Sequence, residues 1–363
     1  MDVTSRRKNR FMNVLNRHPF FIKLFNWEYW NSKIIYAPLY PYWLWLSLKS
    51  RSLFFLTAAN PHIKNGGFIM ESKNDIYNQL PEFSYPKTEF FLKGTSNTEV
   101  LTRFEQNSFN YPVIAKPDLG ERGLAVKKIH NQVELLNYAE RMPVNFLVQD
   151  FVTYEKEVGI FYYRIPGEKT GRISGIVDKY PVVVNGNGIN TIEELINQEP
   201  RYILQWTQIR NAHSTEKLQE VLKVDESFLL IPYGNHSRGS KFINESSRVN
   251  PELEALINSI CCAMPDFYYG RLDIRFTSWD KLYKGEEYSV IEVNGSGSEP
   301  THIYDPSQSL FYAWKEIIRH WNILHKISKA NHQNGVEYLS FLTIYRDLNE
   351  FSDIDALLSQ EVW

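Results

Sequence analysis

Three hard oxygen ligands sit on two short stretches of this chain. Gly270-Arg271-Leu272-Asp273 supplies one carboxylate, and Glu292-Val293-Asn294, beginning 19 residues after Asp273, supplies a second carboxylate and an amide oxygen. The surrounding segments, GRLDIRF and YSVIEVN, alternate polar and apolar residues as half-buried strands do. Glu292 and Asn294 are two positions apart and so project to one face of their strand. If the two strands are hydrogen-bonded neighbours, Asp273, Glu292 and Asn294 converge on one small volume. Magnesium accepts such an oxygen-rich set and takes its remaining ligands from water and substrate phosphates. Asp273 alone reads as the polar face of a strand; the segments upstream turn the reading toward a magnesium nucleotide site.

The first of those segments is YPVIAKPDLGERGLAV. A strand delivers Lys116 at its end, and the loop behind it places Gly120 and Gly123 on either side of Arg122. Glycines let the backbone fold over a ligand, and successive amides can cradle phosphate oxygens. A tight hairpin turn with solvated charges explains the same segment taken by itself. The second is LVQDFVTYEKEVGIFYY, a strand that breaks into a polar stretch and resumes at Glu157 and Val158. The break offers main-chain donors and acceptors to a planar base and a carboxylate to ribose hydroxyls, or it is a surface bulge.

The elements that must position these residues are punctuated by turns, without repeats or low-complexity linkers. SLFFLTAAN reads as a buried strand followed by the turn-rich PHIKNGG. ESKNDIYNQLP reads as a helix stopped by Pro81. KTEFFL, YPVIAKP, LAVKKI and NFLVQDFV read as strands, with helices EVLTRFEQN and QVELLNYAERM between them, which makes a small α+β unit of roughly eighty residues. A larger α+β unit follows, in which Thr191-Ile192-Glu193-Glu194 has capping-box spacing. From Trp321 the pattern is helical. The expected segments are 1–70, rich in aromatics; 71–152, the small unit; 153–320, the larger unit; and the tail 321–363.

At 363 residues, with 43% hydrophobic and 23% charged side chains, the chain has the composition of a globular protein with more than one core. A net charge of -2 provides no general field for nucleic acid, so phosphate recognition must be local. The two cysteines, Cys261 and Cys262, are adjacent on an apparent helix and badly placed to bridge each other. A reducing cytoplasm fits them. The uncharged run from Ile34 to Leu48 contains Pro38 and Pro41 and falls short of the about 20 apolar residues that a membrane span needs. Arg17, His18 and Lys23 interrupt any signal-peptide pattern. Two readings of residues 1–50 stand: the aromatics cover the rest of the protein, or, with the neighbouring basic residues, they form a peripheral membrane or partner face.

Taken in order, Lys73, Lys116, the glycine loop, the Gln149–Val152 segment, Glu157, Arg271, Asp273, Glu292 and Asn294 resemble the ATP-grasp superfamily, in particular its carboxylate-amine ligases. The strand pair is similar to that of D-alanine–D-alanine ligases. DKYPVVVNGNGINTIEELI and GNHSRGSKFINES resemble the ATP-grasp module of cyanophycin synthetases. The resemblance implies an α+β ATP-grasp fold with a small lid, a larger metal-binding domain and a short, atypical amino-terminal domain. It implies ATP and two magnesium ions, for which manganese would substitute. By the same resemblance, Lys116 and Lys73 would meet phosphates, with Gly120 and Gly123 in the loop over them. Gln149 would accept from the adenine amino group, the backbone of Asp150 and Val152 would meet the base edge, and Glu157 the ribose. Asp273, Glu292 and Asn294 would hold the metals. Arg271 would face the transferring phosphoryl group and the oxyanion, and Arg238 the γ-phosphate. The implied reaction joins a small-molecule carboxylate to an amine through an acyl phosphate. Rival readings are a kinase using the same nucleotide residues on a hydroxyl, and a non-catalytic nucleotide-binding module at a membrane surface. After Asn294 the chain reads GSGSEPTHIYDP where the family often has a small residue, proline and glycine. The acceptor therefore stays open, as does the oligomeric state.

Overall fold

A computed structural model describes residues 17–121, 123–231, 236 and 239–360. The chain forms two compact units. One gathers described residues within Met1–Tyr40, Lys179–Asn244 and His302–Trp314; the other gathers those within Pro41–Asp178, Glu245–Thr301 and Lys315–Trp363. The strands, in chain order, are β1 (Thr88–Phe91), β2 (Val113–Pro117), β3 (Lys127–Ile129), β4 (Phe146–Asp150), β5 (Lys156–Tyr163), β6 (Arg172–Tyr180), β7 (Val182–Asn185), β8 (Ser227–Ile231), β9 (Lys241–Asn244), β10 (Tyr269–Phe276) and β11 (Tyr288–Asn294).

In the larger unit a four-stranded antiparallel sheet runs in the order β1-β4-β2-β3. Its helices, Asn97–Gln106 and Gln132–Arg141, start where the sequence offers Ser96 and Asn131 as caps, and each cap side chain accepts the backbone N–H three residues on. Their apolar faces close over Phe91, Val113, Ile129 and Phe146 in one core. The same unit holds a second antiparallel sheet, with β11, β10, β5 and β6 in that order. Leu272, Ile274 and Phe276 project from β10 into a core shared with Leu253, Ile257 and Ile260 of the helix Pro251–Ala263. The α+β arrangement is thus the expected one: a small sheet unit precedes a larger antiparallel sheet that carries the two ligand strands.

In the other unit β7 pairs with β8. Thr191 caps the helix Ile192–Ile196 with both bonds of the capping box, as its spacing predicts. Val182, Ile192, Ile209 and Leu230 share the core there.

Four expectations need correction. SLFFLTAAN is not a strand: Phe55–Ala58 is a 3-10 turn, fully buried at Phe55 and Ala58. Its backbone groups find partners outside any ladder, because Asn331 Nδ2 donates to the Ala58 and Ala59 carbonyls at 2.8 and 3.1 Å and Leu339 N donates to Thr57 Oγ1 at 3.1 Å. A short apolar run cannot by its pattern distinguish these outcomes. LAVKKI is a strand only over its last three residues, since Ala125 takes φ 58° and turns the chain before β3. The helical tail begins at Leu310 and runs unbroken to Gln333, so residue 321 lies inside a helix. The segment 153–320 is not one compact unit, because residues 179–244 and 302–314 cluster with the amino-terminal residues instead.

The amino-terminal aromatics divide between two roles. Trp43 packs between Phe55 and Trp321, with ring centroids 4.6 and 5.0 Å away, and Leu46 is buried beside them. Leu44, Trp45 and Leu48 on the same helix are exposed. No helix among the described residues is long and apolar enough to cross a membrane.

Candidate functional site

β10 and β11 are hydrogen-bonded neighbours, and their register places Asp273 opposite Glu292 and Arg271 opposite Asn294. All four residues therefore project from one face of the sheet. The opposite face of β10 is the apolar core, so Asp273, although polar, is covered from both sides and only 2% exposed. On the other flank of β10, Asp273 pairs with Gly159 of β5. A Cβ at Gly159 would stand 2.9 Å from Val177 Cγ1 and 3.1 Å from Asp273 Oδ1, so glycine leaves the room that the carboxylate fills.

Asp273 is held by a fork. Arg271 Nε donates to Oδ1 at 2.9 Å and Nη2 to Oδ2 at 3.1 Å, while Nη1 reaches the Glu299 carbonyl at 3.5 Å. Burial acts to lower the Arg271 pKa, but the charges of Asp273, Glu292 and Glu299 and the Asp273 bonds raise it overall. Asn294 Nδ2 is buried without a hydrogen-bond partner.

The Lys116 ammonium approaches this strand pair from β2. It donates to Tyr77 Oη at 2.7 Å, to Gln149 Oε1 at 2.9 Å and to the Ile291 carbonyl at 3.2 Å, one residue before Glu292. Burial pulls its pKa down to about 8, against the opposing effect of the Glu292 charge. Tyr77 itself donates to the Ile291 carbonyl. Gln149 is engaged at both ends, its amide oxygen by Lys116 and its Nε2 by donation to Thr88 Oγ1 at 2.7 Å.

Lys73 opens the helix Lys73–Tyr77. Its ammonium donates to the carbonyls of Asp118 at 3.2 Å and Gly120 at 2.7 Å, which ties it to the start of the glycine loop. Gly120 and Gly123 take φ of 139° and 69°, the region that glycine enters without a Cβ penalty. Asp118, buried after β2, accepts from Ser72 Oγ and from Asn74 N, both at 2.9 Å, and so staples that loop to the helix start. Glu157 accepts from Arg275 Nη2 at 3.3 Å. The Asp150 N–H donates to the Lys87 carbonyl at 2.9 Å, and Val152 lies in the loop between β4 and β5. Arg238 lies outside the described residues.

Several participants went unnoticed in the sequence. Tyr77, Asp118 and Arg275 looked like ordinary helix, loop and strand residues. Burial pushes the Glu71 carboxyl pKa up, opposed by a backbone bond and Lys73 and assisted by the charges of Glu121 and Glu292. Asn60 is fully buried and fully bonded: Nδ2 donates to the carbonyls of Gly66 and Tyr269, and Oδ1 accepts from the Tyr268 and Tyr269 N–H groups. The turn it holds in turn accepts from Ser296 N at 3.1 Å and Gly297 N at 2.8 Å, which fixes the chain just after Asn294. An asparagine followed by proline is a turn signal, and that was its only mark in the sequence.

No protein-family model matches the chain, and no curated protein matches it. Solved structures similar to it include a bifunctional glutathione synthetase from Pasteurella multocida, 17% identical over 65% of this chain and 34% of that one, with a TM-score of 0.38. The VanG D-Ala:D-Ser ligase from Enterococcus faecalis is 15% identical over 71% and 64% of the two chains, with a TM-score of 0.39. The D-alanine–D-alanine ligase from Bacillus anthracis is 14% identical over 75% and 72%, with a TM-score of 0.43. The chain spans about a third of the length of the first of these and under two thirds of the second.

Proposed function

We propose that the chain is an ATP-dependent ligase of the ATP-grasp kind, which activates a small-molecule carboxylate and joins it to an amine. The observation that carries this reading is the register of β10 and β11, which sets Asp273 against Glu292 beside Arg271 and Asn294, together with Lys116 bonded one residue from Glu292. Two carboxylates, an amide oxygen and a half-buried arginine on paired strands, with the buried Lys116 ammonium reaching them from β2, suit a polyphosphate and its metal better than they suit a core.

The donor set fits magnesium, a hard cation that prefers oxygen. Asp273, Glu292 and Asn294 would hold it, with two ions expected. When bound, magnesium neutralises charge on the phosphoryl oxygens and draws electron density from them. Everything else falls to the chain. Lys116 and Lys73 carry the positive charge for the phosphates, below the loop of Gly120 and Gly123. Gln149, Asp150 and Val152 line the place for the base, and Glu157 that for the ribose. The substrate carboxylate oxygen attacks the γ-phosphorus and ADP leaves, giving an acyl phosphate. The amine then attacks the acyl carbon, loses a proton and expels phosphate. Arg271, whose half-buried guanidinium is already held by Asp273, stabilises the oxyanion that forms at that carbon. Preorganised charge of this kind supplies most of the rate in such transfers.

The test is a screen of the purified chain with ATP, magnesium and pools of amino acids and dipeptides, read first as ADP release and then as product mass. An amide product with equal ADP and phosphate is expected. A stable phosphorylated product without an amide would replace the ligase with a kinase, and the absence of substrate-stimulated ADP release across the pools would remove the proposal.

A further inference from the structure

Between Glu28 and Glu71 the sequence contains no acidic residue, although it includes Lys33, Lys49, Arg51 and Lys64. The second half of this stretch belongs to the larger unit and packs on the helix that ends at Gln333. Trp43 meets Trp321, Tyr42 Oη donates to Asn322 Oδ1 at 2.6 Å, and Phe55 meets His325 edge-on. From Ile317 to Gly335 that helix and its end also lack any acid, while carrying Lys326 and Lys329. Two acid-free, lysine-bearing segments are thus packed together. The charges of Lys49 and Lys329 both reach His325, where, after burial, they lower its pKa.

Beside these cations the helix Tyr40–Ser50 turns apolar side chains to solvent. Leu44, Trp45 and Leu48 occupy positions i, i+1 and i+4, which share one helix face, and their exposures are 51, 45 and 77%. Leu53, just past the helix end, is 51% exposed. The Lys49 ammonium lies 3.5 Å from the Trp45 ring centroid. A lysine folded against a tryptophan at the edge of an apolar face has its charge level with the ring, the arrangement that suits a headgroup boundary with an apolar layer beyond it.

We propose that this face, formed by Leu44, Trp45 and Leu48 with Lys49, Arg51 and Lys329 at its rim, docks the protein on an anionic lipid bilayer. The charge argues for the sign of the partner, and the exposed leucines beside the tryptophan argue for a bilayer over an acidic protein or a nucleic acid, since they gain only where an apolar layer receives them. The face narrows the one that the sequence offers over residues 1–50 to Leu44, Trp45, Leu48 and Lys49, and extends it to Arg51, Leu53 and Lys329.

Flotation of the full chain with phosphatidylcholine vesicles, alone and with phosphatidylserine, tests this. Co-flotation is expected only with phosphatidylserine, and it should weaken as salt rises. Lys49→Gln should lower the partition coefficient roughly fivefold, and Leu48→Glu should lower it further. Leu48 and Lys49 are exposed and lie outside the nucleotide residues, so both variants should keep wild-type ATP turnover and circular dichroism, which separates lost docking from lost folding. Lack of flotation with anionic vesicles at low salt would overturn the proposal. So would unchanged flotation of folded Leu48→Glu, which would place the contact elsewhere, or salt-resistant binding to neutral vesicles. Capture on polyglutamate without capture on vesicles would assign the face to an acidic protein instead.

Discussion

Lys116 is buried with its charge at a cost, and that cost can be read directly. Its folded pKa lies near 8, whereas an exposed lysine keeps its ordinary value of 10.5. The unfolded chain therefore holds this proton over a range of pH in which the folded chain has begun to release it. Stability consequently rises as pH increases from about 8, and the gain is complete near 10.5. The whole difference corresponds to roughly 3 kcal/mol, of which roughly 1 kcal/mol falls between pH 7 and 9. Lys116→Met removes the proton and retains most of the volume. Urea unfolding of both proteins at pH 7, 8 and 9 should give a difference in stability that changes by about that 1 kcal/mol, with the wild type gaining relative to the variant. The slope carries the test rather than the offset, because the methionine variant also leaves Gln149 Oε1 without its donor. Buried tyrosines such as Tyr77 and Tyr162, with pKa values raised by burial, act above this window and are common to both proteins.

The same burial has a functional counterpart. A bound triphosphate would pull the Lys116 pKa back up, so nucleotide binding above pH 8 should take up a proton. Calorimetry of ATP binding in two buffers of different ionisation enthalpy should show that uptake in the wild type and not in Lys116→Met. The variant should bind ATP more weakly by about 1.5–3 kcal/mol, the worth of a hydrogen bond to a charged group. Parallel stability profiles together with unchanged affinity would show that the lysine is neither strained nor in the nucleotide site.

Glu292→Gln preserves size and hydrogen bonding and deletes one charge, so the variant should fold and lose nearly all substrate-stimulated ADP release, whereas Asn294→Ala should keep some; full activity in Glu292→Gln would defeat the metal assignment. Asn60→Ala strands four buried backbone groups of the Gly66 turn and β10, which should cost on the order of 3 kcal/mol or more in urea unfolding; a loss under about 1 kcal/mol would mean that the turn is repaired by water. Arg201→Ala takes from buried Glu28 the guanidinium 2.5 Å away and leaves it only His236 at 3.3 Å, and thermal unfolding should show a loss of about 3 kcal/mol. Burial acts to raise the Glu28 pKa, but the His236 bond and then Arg201 hold it below the ordinary carboxylate value of 4.5. This pair's contribution is therefore present above that value and lost as pH falls below it, so the gap between wild type and Arg201→Ala should narrow in acid.

How far these features were legible follows from the range of the interactions that create them. β10 and β11 were readable because alternation is local, and once paired they fixed which face Asp273 and Glu292 share. The capping box at Thr191 is readable for the same reason, since its bonds span three residues. SLFFLTAAN was misread because a short apolar run states that a segment is buried and not how its amides are satisfied. That was decided by Asn331, 273 residues from Ala58. Tyr77 and its acceptor Ile291 are 214 residues apart, and nothing near either one marks the pair. The tie between Lys73 and the glycine loop was equally invisible, although each partner alone was a candidate. The candidate residues can be nominated from local pattern, while the bonds that join them depend on contacts that the pattern does not encode.

That wiring bears on why so much charge is gathered in the larger unit. Several charged groups there have internal partners: Arg271 grips Asp273, Arg275 grips Glu157, and Lys73 and Lys116 donate to carbonyls, a phenol and an amide. Such pairs seldom add net stability, since well-packed apolar residues of the same volume would commonly do as well or better. A fold that only needed to be stable would gain little from placing them along the same paired strands. The internal partners are, however, of the kind a ligand can replace: oxygens around the lysines stand where phosphate oxygens would, and the guanidinium on Asp273 stands where another cation would. Asn294 Nδ2, one of the buried donors without a partner, is where this exchange would bring a net gain, because an acceptor on the ligand would satisfy a group that the protein alone does not. Under the proposed function, the polar interior is a set of provisional bonds that a polyanion with its metal would take over.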